Sequence, residues 1–399
     1  MLGFAEDYQC GTFTGTEMFI GNLNSNNTLT IQNGADVDCS KASIGTGSRD
    51  YMPERFSNGN TVTVTGAGST WTSGYETSYS GINIGYVGSS NTLNIENGGT
   101  VNSGAVTLGY FVSSSHSNSL NVNGGTLNIA GTTAYDADLN MRVGTGHAVT
   151  VSNGGTVNCQ RIMVGEYATY NKMTVTGSGS SVTARFGTTG SDVWIGNYAS
   201  NNSIEILAGA RMSAGWVSLG YNTGNNNSLL VSGAGSRLLV SGIAVGTTTS
   251  GNKLTIRNGA LVVADGSIGG SSKLSIGNGI GNRLQLAGGF IAVKDDTYGA
   301  FDMAQFLTGE RIEVWDGTAY VLADASMVTV FHCDSAGDAA SALGEYSTYY
   351  SEDLLNTLDG GFTILTGGSV VPEPAACAAF AGLGALSLAL LRRRAIAKH

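Results

Sequence analysis

The 399-residue chain predicts an all-β fold, a parallel β-helix (solenoid) of about ten turns, closed by a C-terminal cap and followed by a single C-terminal transmembrane helix. Three observations carry that expectation. The phrase Asn91-Thr-Leu-Asn-Ile-Glu-Asn-Gly-Gly-Thr-Val101 returns with edits from about residue 19 to 270. Within it, apolar and polar residues alternate, as at Leu93 and Ile95, which is the pattern of a half-buried strand. Near the end, an uncharged apolar run over 375–391 meets Arg392-Arg393-Arg394 directly.

Residues 1–18 lack the repeat and read as an N-terminal edge or cap. The β-helix repeats are assigned to 19–293. Pairs of Ile, Val or Leu with Gly mark each turn: Ile20-Gly21, Ile44-Gly45, Ile84-Gly85, Leu108-Gly109, Val143-Gly144, Val164-Gly165, Ile195-Gly196, Leu219-Gly220, Val245-Gly246 and Ile268-Gly269. Their mean spacing is about 28 residues, within the range of solenoid repeats. Longer steps hold polar insertions, such as 48–59 and 132–138, expected in loops outside the coil. Each unit has a strand of the type Leu93-x-Ile95, a glycine turn, a second apolar strand (Val101, Val157, Val182), and a third strand that the marker ends. The turns read Asn-Gly, as at Asn153-Gly154, or Gly-x-Gly-Ser, as at Gly66 to Ser69; both suit positive φ.

One such unit cannot bury its apolar side chains by itself, whereas stacking on its neighbours can. Turns about 4.8 Å apart give a rod roughly 45 Å long, with asparagines aligned so that they bond from turn to turn. A propeller blade needs more residues per unit, and a sandwich needs no constant period. After the repeats, 294–335 is assigned to a cap, because a solenoid end exposes unpaired strand edges. Within it, 300–307 is a short helix candidate and 311–321 a hairpin around Asp316-Gly317. Residues 336–371 are read as mixed strand and loop leading to a linker.

Composition narrows the chemistry. The net charge is −10, and the repeats hold no basic stripe, which argues against a nucleic-acid partner. Cys10, Cys39, Cys159, Cys333 and Cys377 are far apart and form no CxxC pair, a poor disulfide framework and a poor zinc site. His116, His147, His332 and His399 do not have metal-ligand spacing. Turns such as Gly98-Gly99-Thr100 lack the acid of calcium-binding glycine repeats. No catalytic residue, metal or cofactor is expected. Parallel β-helices do host glycosidases and lyases, and glycoside hydrolysis needs two facing carboxylates. Asp36/Asp38 and Asp136/Asp138 are the repeat's i, i+2 acid pairs, and such residues share a strand face. Tyr86, Tyr110 and Tyr221 each follow a marker glycine and are candidates for a column at one corner that contacts sugar rings.

An apolar run of this length can just span a bilayer, and arginines at its end place that end in the cytoplasm. Preceded by Pro372-Glu373-Pro374, the last 28 or so residues resemble a PEP-CTERM protein-sorting signal, here 372–394 with its helix at 375–391. The resemblance implies an inner-membrane-anchored precursor, processing by an exosortase near Pro372-Glu373-Pro374, and release to the cell surface or extracellular matrix of an exopolysaccharide-producing bacterium. The repeats also resemble the autotransporter-type β-strand repeats that often precede this signal, and Trp315-Asp316-Gly317-Thr318 resembles their cap. Met1-Leu-Gly-Phe-Ala-Glu6 shows no basic segment or long apolar run. The expectation is a truncated start, or a signal already removed. The function expected is a non-catalytic structural or adhesive surface protein of an exopolysaccharide matrix. The alternatives are a carbohydrate-active β-helix enzyme, signalled by a cleft of clustered Asp, Lys and Arg, and an adhesin for host or neighbouring cells.

Overall fold

A computed structural model describes residues 12–47, 56–75, 81–131, 138–184, 192–266, 273–294, 307 and 309–370. The chain winds as a succession of three strand faces, repeated over and over. The first face starts at Thr28–Ile31 and continues through Thr61–Thr65, Thr92–Glu96 and their successors to Lys253–Arg257 and Arg283–Ala287, all in one parallel sheet. The second face holds strands such as Thr100–Ser103 and Thr126–Ile129, and the third holds Val106–Leu108, Asp138–Met141 and Arg161–Val164. In Asp36–Ile44, Arg211–Leu219 and Arg237–Val245 the second and third faces are one continuous strand.

About nine turns contain all three faces, from Thr28 to Ile276, with Thr12–Ile20 as a partial turn before them. Ten markers enclose nine steps, which is why the count falls one short of the expected ten. We number these turns one to nine. Two markers are displaced from their expected places. Met141, not Val143, pairs with Leu108 and Val164, so Arg142 stands where other turns have the glycine. The third face of turn nine is Leu274–Ile276, followed by Gly277, whereas Ile268-Gly269 lies outside the described residues. The insertions at 48–55 and 132–137 also lie outside them, as does the helix candidate at 300–306.

The core is a set of columns. Val62, Leu93, Leu120, Val149, Met173, Ile204 and Leu229 pair in register along the first face, and all are essentially inaccessible to solvent. Alternation makes this possible, because residues i and i+2 of each strand point inward together. A second, polar column runs inside the corner before the first face: Asn27, Asn60, Asn91, Asn118, His147, Asn171, Asn202, Asn227, Asn252 and Asn282. From Asn60 onward these side chains are buried. Each amide oxygen accepts the backbone N–H of the preceding member, as in Asn91 N to Asn118 Oδ1 (2.9 Å) and Asn202 N to Asn227 Oδ1 (2.9 Å). The marker glycines make room for it. A Cβ on Gly196, which has φ +72°, would sit 2.2 Å from Asn227 Nδ2. Outward-facing asparagines form further rows, such as Asn158 Nδ2 to Asn128 Oδ1 (2.9 Å) and on to Asn102 Oδ1 (3.0 Å).

The far end is covered on two faces. On the first, Ile312–Trp315 adds in parallel to Arg283–Ala287 and turns back antiparallel into Tyr320–Leu322. Asp316 holds that turn by accepting from the N–H groups of Thr318 (2.7 Å) and Ala319 (2.9 Å). On the second face, Phe362–Gly367 pairs antiparallel with both Phe290–Lys294 and Val328–Cys333. Helices α1 (Asp338–Leu343) and α2 (Glu352–Leu358) and a 3₁₀ turn between them shield the outward Val263, Leu261 and Phe290 in a satellite core. Tyr350 locks this layer to the coil by donating its hydroxyl to Gly259 O at 2.6 Å. Among the described residues no helix is long and apolar enough to cross a membrane. The expected span at 375–391, Pro372-Glu373-Pro374 and Arg392-Arg393-Arg394 lie outside the described residues.

Candidate functional site

The third face carries a groove of about 360 Å³ that crosses turns one to five. Its floor is the column of outward residues Asn83, Thr107, Asn140 and Met163, aligned by strand register. Burial of Asn83, Thr107 and Asn140 is above nine-tenths, so the floor is polar yet enclosed by its walls. One wall is the column Lys41, Gly81, Ala105, Asp138 and Arg161. Two small residues there, Gly81 and Ala105, leave the width. The opposite wall comes from the corner: Tyr110, Arg142 and Glu166.

Turns four and five supply four of the five charged groups in this groove. Arg142 occupies the glycine position, so its side chain projects from the corner. It lies 5.0 Å from the centroid of the Tyr110 ring and 3.4 Å from Glu166 Oε2. Asn140 donates Nδ2 to the same Glu166 oxygen at 2.7 Å, and the Asn140 Oδ1 has no hydrogen-bond partner among the described residues. Across the floor Arg161 grips Asp138 through two bonds, Nε to Oδ1 at 2.9 Å and Nη2 to Oδ2. Both side chains of that pair are nearly buried. Arg161 also lies 5.1 Å from the Trp194 ring centroid.

Aromatic rings extend the site along the same corner. Tyr86 stacks on Tyr110 at 5.0 Å between centroids, as expected for neighbouring turns, and also on Phe111 at 5.7 Å. Tyr221 does not join them; its ring stacks on Trp194 at 5.6 Å. The three tyrosines form no single column, because turns four to six put Val143, Glu166 and Asn197 in the matching place. Tyr167 and Tyr198, one residue further along, stack at 5.2 Å and are half exposed. The result is a stripe of flat rings over turns two to seven, interrupted at turn four by Arg142.

Asp36 and Asp38 share one outward face, as their spacing requires, but they stand exposed on the second face, with Thr70 donating to Asp36. They are not part of the groove. Asp138 is, while Asp136 lies outside the described residues. Arg142, Asn140, Arg161, Trp194 and Tyr167 were not singled out from the sequence. The sequence hides the break, since Val143-Gly144 fills the marker there; only strand register moves the corner to Met141-Arg142. Among the described residues no group of His, Cys, Asp and Glu could hold a metal ion, and Cys39, Cys159 and Cys333 are buried free thiols. Burial pushes the Cys39 and Cys159 thiols up from their ordinary range, the opposite of an activated nucleophile. Compared with protein-family models, curated proteins and solved structures, the chain matches none, and the reading of this site rests on its own geometry.

Proposed function

We propose that the protein is an exported, non-catalytic rod of a bacterial surface or matrix that holds exopolysaccharide along its third face. The single observation that carries this reading is the stripe of stacked, part-exposed aromatic rings beside a polar groove. Flat amphipathic rings suit sugar faces, and the groove's amides and charges suit sugar hydroxyls. The pairing of Asp138 with Arg161 and of Glu166 with Arg142 and Asn140 supports a binding role, since both carboxylates already serve as acceptors within the wall. The Y86A/Y110A double variant is expected to lose at least tenfold in affinity for the polysaccharide bound by the wild type, measured by affinity electrophoresis with the coil intact by circular dichroism. Wild-type affinity in that variant would remove the aromatic stripe from the reading.

A second reading has one observation in its favour. Lys41, Asp138, Arg142, Arg161 and Glu166 gather in one cleft, the cluster expected of a carbohydrate-active β-helix enzyme. Release of reducing ends or unsaturated sugars by the purified protein, abolished in D138N or E166Q, would establish that alternative and displace the first.

Export rests on the resemblance of 372–394 to a PEP-CTERM signal, with exosortase as the processing partner. Changing Pro372, Glu373 and Pro374 to alanine is expected to leave the protein full length and membrane-held in a host with an exosortase. Release of that variant at wild-type size would sink the sorting proposal.

A further inference from the structure

We propose that the third-face groove is a binding site for an acidic polysaccharide, a chain of hydroxylated sugars bearing carboxylates. The inference rests on the polysaccharide reading above and names its ligand class.

The molecule as a whole is acidic, with a net charge of −10. The groove departs from that balance, since its walls hold three cations, Lys41, Arg142 and Arg161, against two carboxylates. A lining of net positive charge on a molecule of net negative charge favours anionic ligands over the rest of the surface. Arg161 is spent on Asp138 in a nearly buried two-bond pair. Arg142 is different. Its side chain is 37% exposed, and its contact with Glu166 is a single one through Nε at 3.4 Å. Tyr110 supports the guanidinium from one side. A guanidinium held in this way keeps in-plane N–H groups for a carboxylate, which it can take in two parallel bonds.

The floor supplies the second, independent observation. Asn140 is 6% exposed, its Nδ2 is used by Glu166, and its Oδ1 has no donor among the described residues. A buried acceptor left unpaired is costly, and a sugar hydroxyl is a donor of the right kind. An aromatic face at Tyr110, an acceptor at Asn140 and a cation at Arg142 thus meet in one place. Each matches a different part of a uronic-acid chain: the ring face, a hydroxyl and the carboxylate.

The departures from the repeat concentrate here. At the corner between turns four and five, alone among the described corners, Arg142 replaces the marker glycine and His147 replaces the ladder asparagine. A regular coil that breaks its own rule at one corner marks that corner as a site.

The test is affinity electrophoresis and titration calorimetry on the full chain with polygalacturonate, neutral dextran and dextran sulfate. Polygalacturonate is expected to bind at least tenfold more tightly than dextran, with affinity falling as salt rises. R142Q and R142G are each expected to reduce it about tenfold; glycine is what most other turns carry there, so R142G tests the loss in a corner of regular type. N140A is expected to lower affinity several-fold at unchanged salt dependence. Equal binding of dextran and polygalacturonate, or full affinity in both Arg142 variants, overturns the acidic-ligand inference and leaves the polysaccharide reading standing. Dextran sulfate bound as tightly as polygalacturonate, with N140A silent, overturns it as well, since any polyanion would then do. Binding of none of the three by a folded chain overturns both.

Discussion

Replacing Asn202 with alanine is expected to lower the unfolding free energy by about 2–5 kcal/mol, whereas Asn158→Ala, which breaks a bond of the same chemistry, is expected to cost under about 0.5 kcal/mol. The difference is burial. Asn202 is fully enclosed, and its Oδ1 accepts from both the backbone N (3.0 Å) and the Nδ2 (2.9 Å) of Asn171. Alanine leaves those two donors without an acceptor where water cannot reach. It also empties the space over Gly165, where the Asn202 amide stands in place of a Cβ. Asn158 donates to Asn128 at 2.9 Å from an exposed position, and water replaces that bond at little loss. Urea unfolding followed by far-ultraviolet circular dichroism measures both. Equal, small effects would mean that the inner column is no more than decoration on an apolar coil.

The repeat itself was legible because strand side chains alternate and the alternation survives every edit. The positive φ of Asn97 and Gly98, and of Asn153 and Gly154, follows the same logic, since those residue types tolerate it. Rows of bonded asparagines were foreseeable as a class. That the principal row is buried was not, because Asn60, Asn91 and Asn118 precede the first-face strand in stretches that read as polar loop. The layer over the second face left a trace in Leu261-Val-Val-Ala264, where alternation fails because both sides of the strand are covered. The groove was harder to see. Its residues come from five turns, Lys41 to Glu166, and only register brings them together. Tyr86 and Tyr110 were paired correctly because they end consecutive regular turns; Tyr221 was not, because the intervening turns change residue at that place.

The irregular corner also makes the coil acid-sensitive. His147 takes the place of an asparagine, 1% exposed, with its own N–H donating to Asn171 Oδ1 at 2.8 Å. Its Nδ1 accepts the N–H of Asn118 at 3.2 Å, and Nε2 lies 2.9 Å from Val143 O, an assignment that requires the neutral Nε2–H tautomer. A proton on Nδ1 would turn the acceptor that Asn118 needs into a donor. Burial depresses the His147 pKa, opposed by the bond to Val143 and aided by His116 one turn earlier. The unfolded chain therefore binds a proton on this residue at a higher pH, near the ordinary value of about 6.5. The sign follows: the neutral ring's contribution is complete above that value and declines as pH falls toward the depressed folded pKa, by up to about 1.4 kcal/mol per pH unit. Asp316, Asp324 and Asp338 are held below the ordinary carboxylate range by hydroxyl and backbone donors, so their own losses begin only near pH 4 and below. Between pH 7 and 5, then, the wild type is expected to lose stability while H147N, which gives the corner an uncharged amide, stays nearly flat over the same interval. Parallel curves for the two proteins across that interval would show that the ring titrates as it does in the unfolded chain, and that the inner column tolerates a charge at this corner.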